Sequence, residues 1–176
     1  MVDQIVCCEK EITFKDTGRK VTVPGLSGEK ISSSEAAISI ARGFLSDKPY
    51  EEVWAIALGG SGEVLGATRT STGTTMSCTS YPRNVFAFVF ALNACSFILA
   101  HNHIGSSPEP SPSDVRFTKD MAILAHKLGV SLLDHIIITP SASLSFSDND
   151  YDYALSASGM GDTIEFCNPT KSAEEG

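Results

Sequence analysis

Two histidines, a serine and an aspartate in the middle of the chain have the types and spacing of a metal site. His101 and His103 are separated by one residue, and Ser111 and Asp114 follow after a loop. Side chains two residues apart share a face of an extended strand, so both imidazoles can reach one ion while Asn102 faces away. Two imidazoles and a carboxylate leave one position of a tetrahedral zinc ion for water, which is typical of a catalytic site. Such a water ionises near neutral pH.

The flanking sequence predicts the elements that must position these residues. The apolar run at 97–100 predicts a buried strand that ends at the histidines. A loop rich in Gly, Ser and Pro at 104–113 then returns the chain to Asp114. The same segment is a good helix start, because Ser111 can be the N-cap and Asp114 the acid of a capping box. Capping and metal ligation do not exclude one another.

Helices and strands alternate along the rest of the chain, which predicts an α/β layer arrangement. Apolar periodicity predicts helices over residues 34–45 and 82–92 and a third that begins after the metal-site loop and ends at Gly129, together with strands over 52–58, 63–70, 132–139 and 144–146 and a hairpin over 5–24. The second helix is apolar on every side, so we expect it to be buried against the sheet. Zinc deaminases share such layering, but their His-x-Glu and Pro-Cys-x-x-Cys signatures are absent.

The pattern His-x-His, seven residues, Ser, two residues, Asp resembles the signature of the JAMM (MPN) metallopeptidases. Segments at 80–86, 91–94, 98–103, 110–114 and 133–137 resemble, in that order, characteristic blocks of the RadC-like branch. The resemblance covers about residues 34–139. It implies a three-layer α/β/α fold with a mixed central sheet and cytidine deaminase-like layering. It also implies a zinc-dependent hydrolase of peptide or isopeptide bonds, with His101, His103 and Asp114 as the Zn2+ ligands.

The same resemblance implies roles for two further side chains. JAMM proteins use an upstream glutamate to take the proton from the attacking water and pass it to the leaving amine, and the RadC-like pattern favours Glu51 for this, with Glu52 as the fallback. Ser111 is implied as a hydrogen-bond donor to the oxyanion that develops during attack. His135 follows Asp134 in a predicted strand, so at most one of them can face the site. We interpret His135 as a satisfied core residue or as a group that orients a metal-bound imidazole, in preference to a ligand.

Two alternatives to a peptidase stay open. In the RadC-like branch the histidine pair is usually followed by Pro-Ser-Gly-Asp, whereas residues 104–107 here are Ile-Gly-Ser-Ser. A non-catalytic MPN-type protein-binding module is therefore one alternative, and a DNA-repair-associated RadC-like accessory protein is the other. The net charge of -8 argues against nucleic-acid binding, which requires a basic surface. We expect a protein or peptide substrate, with a side-chain-linked conjugate as one form of it.

Composition predicts one domain with a substantial core, since the chain has 176 residues of which 42% are hydrophobic. We assign residues 31–160 to this domain, 1–30 to an N-terminal hairpin extension and 161–176 to a polar, frayed tail. Five cysteines without a C-x-x-C pair argue against a disulfide scaffold, and Cys95 is expected in the core. The start of the chain lacks the pattern of a secretory signal and the apolar stretch at 85–92 is too short to span a bilayer, so we predict no membrane association and a cytoplasmic location.

Overall fold

A computed structural model describes residues 30–46, 48–72 and 81–155 of the chain. Within these ranges the elements are α1 (Ser34–Leu45), β1 (Glu52–Leu58), β2 (Val64–Thr72), α2 (Pro82–Ala91), β3 (Ser96–Asn102), α3 (Pro112–Lys127), β4 (Ser131–Ile138) and β5 (Ser143–Ser145), followed by a 3-10 turn at Asp152–Ala154. The helices and strands predicted in this part of the chain are confirmed, with small shifts of their ends. The predicted hairpin lies outside the described residues, and the domain limits at 30 and 160 stay predictions.

The five strands form one mixed sheet in the order β2-β1-β3-β4-β5. Strands β3 and β4 are parallel, because α3 connects them as a crossover, and the other neighbours are antiparallel. Helix α1 packs on one face of the sheet, whereas α2 and α3 pack on the other. The predicted α/β fold with three layers and a mixed central sheet is confirmed.

Strand β3 is buried along its whole length, so each of its faces must match a helical layer. Phe97 and Leu99 belong to the core beneath α2 and α3, whereas Ile98 and Ala100 belong to the core beneath α1. Because side chains alternate along a strand, this pattern continues to the end of β3. His101 therefore faces the α2/α3 layer and the next residue faces the α1 layer.

One extra residue in β4 decides which of its polar residues faces the same layer as His101. Phe97 pairs with Leu132, but the following residue of β3 pairs with Asp134, so Leu133 is a β-bulge. The Leu133 side chain is 47% exposed. A bulge reverses the alternation of side chains beyond it. His135, which pairs with Leu99, consequently lies on the α2/α3 side of the sheet.

The ends of α3 agree with the sequence. Ser111 is the N-cap and forms a capping box with Asp114, as predicted. At the other end Gly129 has a φ of 75°, a left-handed conformation that glycine adopts readily after a helix C-terminus. The N-terminus of α3 is therefore fixed at the segment that carries Asp114.

One expectation about burial is wrong and another holds only in part. Helix α2 packs against the sheet as expected and buries Val85, Phe86 and Val89, but Phe90 is 47% exposed because the sheet covers only one side of the helix. Cys95 is exposed instead of being a core residue, since it lies in the turn between α2 and β3. No helix within the described ranges is both long enough and apolar enough to cross a bilayer.

Candidate metal centre

The C-terminal end of β3 and the N-terminus of α3 bring the three predicted ligands together. The Nε2 atoms of His101 and His103 are 2.9 Å apart, and each lies 3.5 Å from one carboxylate oxygen of Asp114. Ligand atoms of a tetrahedral zinc ion with bonds of about 2 Å are separated by about 3.3 Å. The separations in this group therefore fit one ion.

The burial of the three side chains leaves one side of the group open. His101 is almost completely buried, whereas the His103 and Asp114 side chains are 18% and 23% exposed. A cation held at this point would therefore be enclosed on the side of β3 and reachable from the side of the loop. This is the arrangement that leaves a coordination position for solvent or substrate.

The contacts of His103 show which of its two ring nitrogens faces the cluster. Nδ1 lies 3.2 Å from the carbonyl oxygen of Ser107. Because a carbonyl oxygen only accepts hydrogen bonds, Nδ1 carries a proton, and Nε2 is the ring nitrogen that faces the cluster and would bind a metal once deprotonated. The hydrogen bond with Asp114 raises the pKa of His103, against the effect of burial. The altered residues at 104–107 thus still supply an acceptor that orients this imidazole.

Asp114 is an anion in this environment. Burial alone would raise its pKa, but hydrogen bonds from His103 and Ser111 hold the pKa of Asp114 well below its usual range. The Ser111 hydroxyl donates to Oδ2 over 2.6 Å and its backbone N–H donates over 2.8 Å, while Asp114 N–H donates back to Ser111 Oγ over 3.2 Å. Ser111 is thus the helix cap and also a direct partner of a candidate ligand.

The pairing of β1 with β3 separates the two candidate bases. Val53 pairs with His101, so alternation places Glu51 on the face of the histidines and Glu52 on the opposite face. Burial raises the pKa of Glu51, and its carboxylate is close enough to His103 for the two charges to interact. A raised pKa suits a carboxylate that must both accept and release a proton.

Glu52 has partners of its own on the other face. Its side chain is fully buried, and its two oxygens accept hydrogen bonds from Trp54 Nε1 and Arg69 Nη1, each over 2.8 Å. These contacts point the carboxylate away from the candidate metal centre. The fallback choice of Glu52 as the base therefore has no support in the geometry.

Asn102, between the two histidines, connects β3 to the segment that carries Glu51. Its Oδ1 accepts from the backbone N–H of Glu52 over 2.8 Å, and its Nδ2 donates to the carbonyl oxygen of Tyr50 over 3.0 Å. Both bonds go to the residues that flank Glu51. The sequence indicated that Asn102 faces away from the ion and forms hydrogen bonds that shape a loop, but its link to the segment that carries Glu51 was not predicted.

Behind His101 lies a buried polar chain. His135 Nε2 is 2.8 Å from His101 Nδ1, and His135 Nδ1 is 2.6 Å from the hydroxyl of Thr118. Asp134 instead accepts hydrogen bonds on the other face, from the Ser145 hydroxyl among others. Sequence analysis missed Thr118. The available signal was a polar residue one helical turn after Asp114, within the apolar stripe of α3.

Comparison with known proteins identifies the family of this chain. A sequence model described as the RadC-like JAB domain matches residues 31–151. The chain is 33% identical over 135 residues to a UPF0758 protein of Fusobacterium nucleatum, covering 77% of this chain and 58% of that protein. It is 33% identical over 122 residues to a UPF0758 protein of Thiobacillus denitrificans, covering 69% of this chain and 54% of that one. The chain thus spans somewhat more than half the length of these curated relatives.

Proposed function

The chain belongs to the RadC-like JAB domain family, and from this premise we propose that it is a zinc-dependent hydrolase of peptide or isopeptide bonds. The observation that carries the proposal is the convergence of His101, His103 and Asp114 within 4.8 Å of one another, with Glu51 on the same face of the sheet. Zinc, when bound there, would act as a Lewis acid that activates water for attack on a carbonyl.

Glu51 is the proposed base and acid of this reaction. It is half-buried, and burial raises its pKa. A pKa closer to the working pH makes general acid–base catalysis more efficient. A carboxylate in this state takes a proton from water and returns it to the nitrogen of the leaving amine. The amine can be the next residue of a polypeptide or a lysine side chain, and both need the same proton.

Ser111 is the proposed donor to the oxyanion. Its hydroxyl lies at the helix N-terminus, where backbone N–H groups and the helix dipole also favour negative charge. The hydroxyl proton is shared with Asp114 Oδ2 over 2.6 Å, so Ser111 would change partner as charge develops on the carbonyl oxygen. That change of partner distinguishes a catalytic serine from a serine that only caps α3.

A protein or peptide is the proposed substrate class. The cavity that borders His103 has a volume of about 110 Å³, which is small beside the roughly 300–1,000 Å³ of pockets that enclose small ligands. A substrate that lies across the surface and presents one amide to the metal is compatible with such a cavity. The net charge of -8 favours neutral or basic segments over nucleic acid.

Metal analysis of the purified protein is the first test. We expect about one zinc ion per chain, as a three-ligand catalytic site requires, and a sharp loss in His103→Ala. His126→Ala is the matched control, because His126 is exposed at the far end of α3, and it should keep the metal. A wild-type protein that takes up no zinc would reject the proposal.

Cleavage assays separate a hydrolase from a non-catalytic MPN-type binding module or an accessory protein. Zinc-loaded protein is incubated with linear peptides and with peptides joined through a lysine side chain, and new amines are quantified. Cleavage that disappears in His103→Ala supports the hydrolase. Full zinc occupancy without cleavage of either substrate type favours the binding module instead.

A further inference from the structure

We infer that Thr118 and His135 are positioning residues that hold His101 in the tautomer whose Nε2 can bind a metal. The inference rests on the proposed metal centre and deepens it, since it names the groups that prepare one ligand. It concerns the order of protons, meaning which atom carries the proton in each of three consecutive buried hydrogen bonds. That order has consequences that can be measured in the metal-free protein.

The chain of hydrogen bonds begins at the backbone carbonyl group of Asp114 and ends at the ring of His101, and both residues are candidate ligands. The Thr118 hydroxyl lies 2.7 Å from the carbonyl oxygen of Asp114 and 2.6 Å from His135 Nδ1. His135 Nε2 lies 2.8 Å from His101 Nδ1. All three side chains in the chain are buried, so water does not compete for these hydrogen bonds.

The direction of the chain follows from its first acceptor. A carbonyl oxygen can only accept, so the single hydroxyl proton of Thr118 goes to Asp114; otherwise two oxygens would face each other at 2.7 Å with no proton between them. The Thr118 oxygen must then accept from His135, which places the proton of that ring on Nδ1. His135 Nε2 is left as an acceptor.

The remaining step decides the state of His101. Both rings are buried away from water, which disfavours a charged imidazolium, so each ring carries one proton. Because His135 Nε2 accepts, the proton of His101 is on Nδ1. Nε2 of His101 therefore presents a lone pair to His103 and Asp114, as a metal ligand must.

The surroundings of His135 keep its ring in this position. Phe146 stacks against it with ring centroids 4.9 Å apart, and Phe117 contacts it edge-on at 6.4 Å. The ring cannot rotate without displacing these aromatic neighbours. The bulge at Leu133 is equally necessary, because without it the alternation of β4 would aim His135 at the other face.

Removal of the Thr118 hydroxyl should reverse the order. Without an acceptor at Nδ1, the proton of His135 can move to Nε2, where it donates to His101 Nδ1. His101 then carries its own proton on Nε2, at the atom that should bind the metal. Zinc binding must then displace that proton and leave a buried N–H without a partner, which lowers the affinity.

The first test is a long-range 1H–15N spectrum of the metal-free wild-type protein, which reports the protonated nitrogen of each ring. We expect both His101 and His135 to be protonated at Nδ1. Protonation of His101 at Nε2 would overturn the inference. This measurement needs neither zinc nor a substrate, so it is independent of the proposed activity.

The second test compares zinc affinity in Thr118→Val and Thr118→Ser by competition with a chromophoric chelator. Valine keeps the shape and removes the hydroxyl, whereas serine keeps the hydroxyl. We expect roughly a 10- to 100-fold weaker zinc affinity in Thr118→Val, the range typical when a partner of a metal ligand is lost, and near wild-type affinity in Thr118→Ser. Equal affinities in wild type and a folded Thr118→Val would contradict the inference.

The two failures can be told apart. If the wild type binds no zinc, the proposed function fails, and the proton order is then judged by the spectrum alone. If the wild type binds zinc and Thr118→Val binds it equally well, the metal centre stands and the positioning role falls. Should Thr118→Val fail to fold, the spectrum of the wild type still decides the inference.

Discussion

The two faces of the β1–β3 pair, at the end near the candidate metal centre, carry similar polar residues, but these residues differ in their hydrogen-bond partners. One face presents Glu51, His101 and His103, and the opposite face presents Glu52 and Asn102. On the second face the polar side chains are satisfied by protein groups. Within the described residues, the Glu51 carboxylate has no hydrogen-bond donor.

This difference distinguishes polar groups that only stabilise the fold from polar groups that are available to bind a ligand. Buried charge is costly unless it is paired, and Glu52 obeys this rule through Trp54 and Arg69. On the histidine face, two imidazole nitrogens and a carboxylate converge on one point, where a cation could bind. A face that is incomplete without an added group is a better candidate for chemistry than one that is complete.

Parallel substitutions at the two glutamates should give the largest contrast. Glu51→Gln removes the proposed base and should lower turnover by roughly 10²- to 10⁴-fold, with zinc content and thermal stability unchanged. Glu52→Gln should leave turnover per folded molecule unchanged and lower the free energy of unfolding by about 1–3 kcal/mol, because the glutamine oxygen accepts only one of the two hydrogen bonds and its NH2 group faces the other buried donor. Turnover, metal content and denaturant unfolding are measured on both proteins.

A result that reverses this pattern would end the assignment of Glu51. If Glu51→Gln still cleaves at the wild-type rate while Glu52→Gln does not, the base is on the other face, and the pairing of Val53 with His101 does not describe the working enzyme.

Ser111→Ala tests whether one residue serves both helix capping and catalysis. Loss of the cap should cost about 1 kcal/mol of stability, and loss of the oxyanion donor should lower turnover by about a hundredfold. Ser113→Ala is the matched control, since Ser113 contacts the Ser111 hydroxyl over 2.7 Å without capping the helix. If turnover per folded molecule is unchanged in Ser111→Ala, the serine is a cap only.

Asn102→Ala should have the smallest effect of the three. The change frees the backbone on both sides of Glu51, and the base then samples positions out of reach of the water. We expect turnover to fall by about tenfold at constant KM, since small misplacements of a catalytic group are costly, with zinc content retained. Asn84→Ala removes one weaker bond to a backbone carbonyl elsewhere and should change none of these quantities.

An Asn102→Ala protein that loses zinc would give a different account of this residue. It would mean that Asn102 holds β3 itself in shape and thereby the histidine pair, and the contrast between the two faces would be weaker than proposed.

The sequence by itself determined the elements, the candidate ligands and the cap. A spacing of two along an apolar strand places His101 and His103 on one face, and Ser111 with Asp114 starts a helix. Both inferences follow from local backbone geometry, which depends on residues close in the chain. The predicted family is shown by the match over residues 31–151.

Only the tertiary structure decided which of two adjacent polar residues faces the candidate metal centre. The choice of Glu51 over Glu52 depends on the register of β1 against β3, and the choice of His135 over Asp134 depends on the bulge at Leu133. Because side chains alternate, a shift of one residue reverses either choice. Register is set by contacts between segments far apart in the chain, so no local pattern could have supplied it.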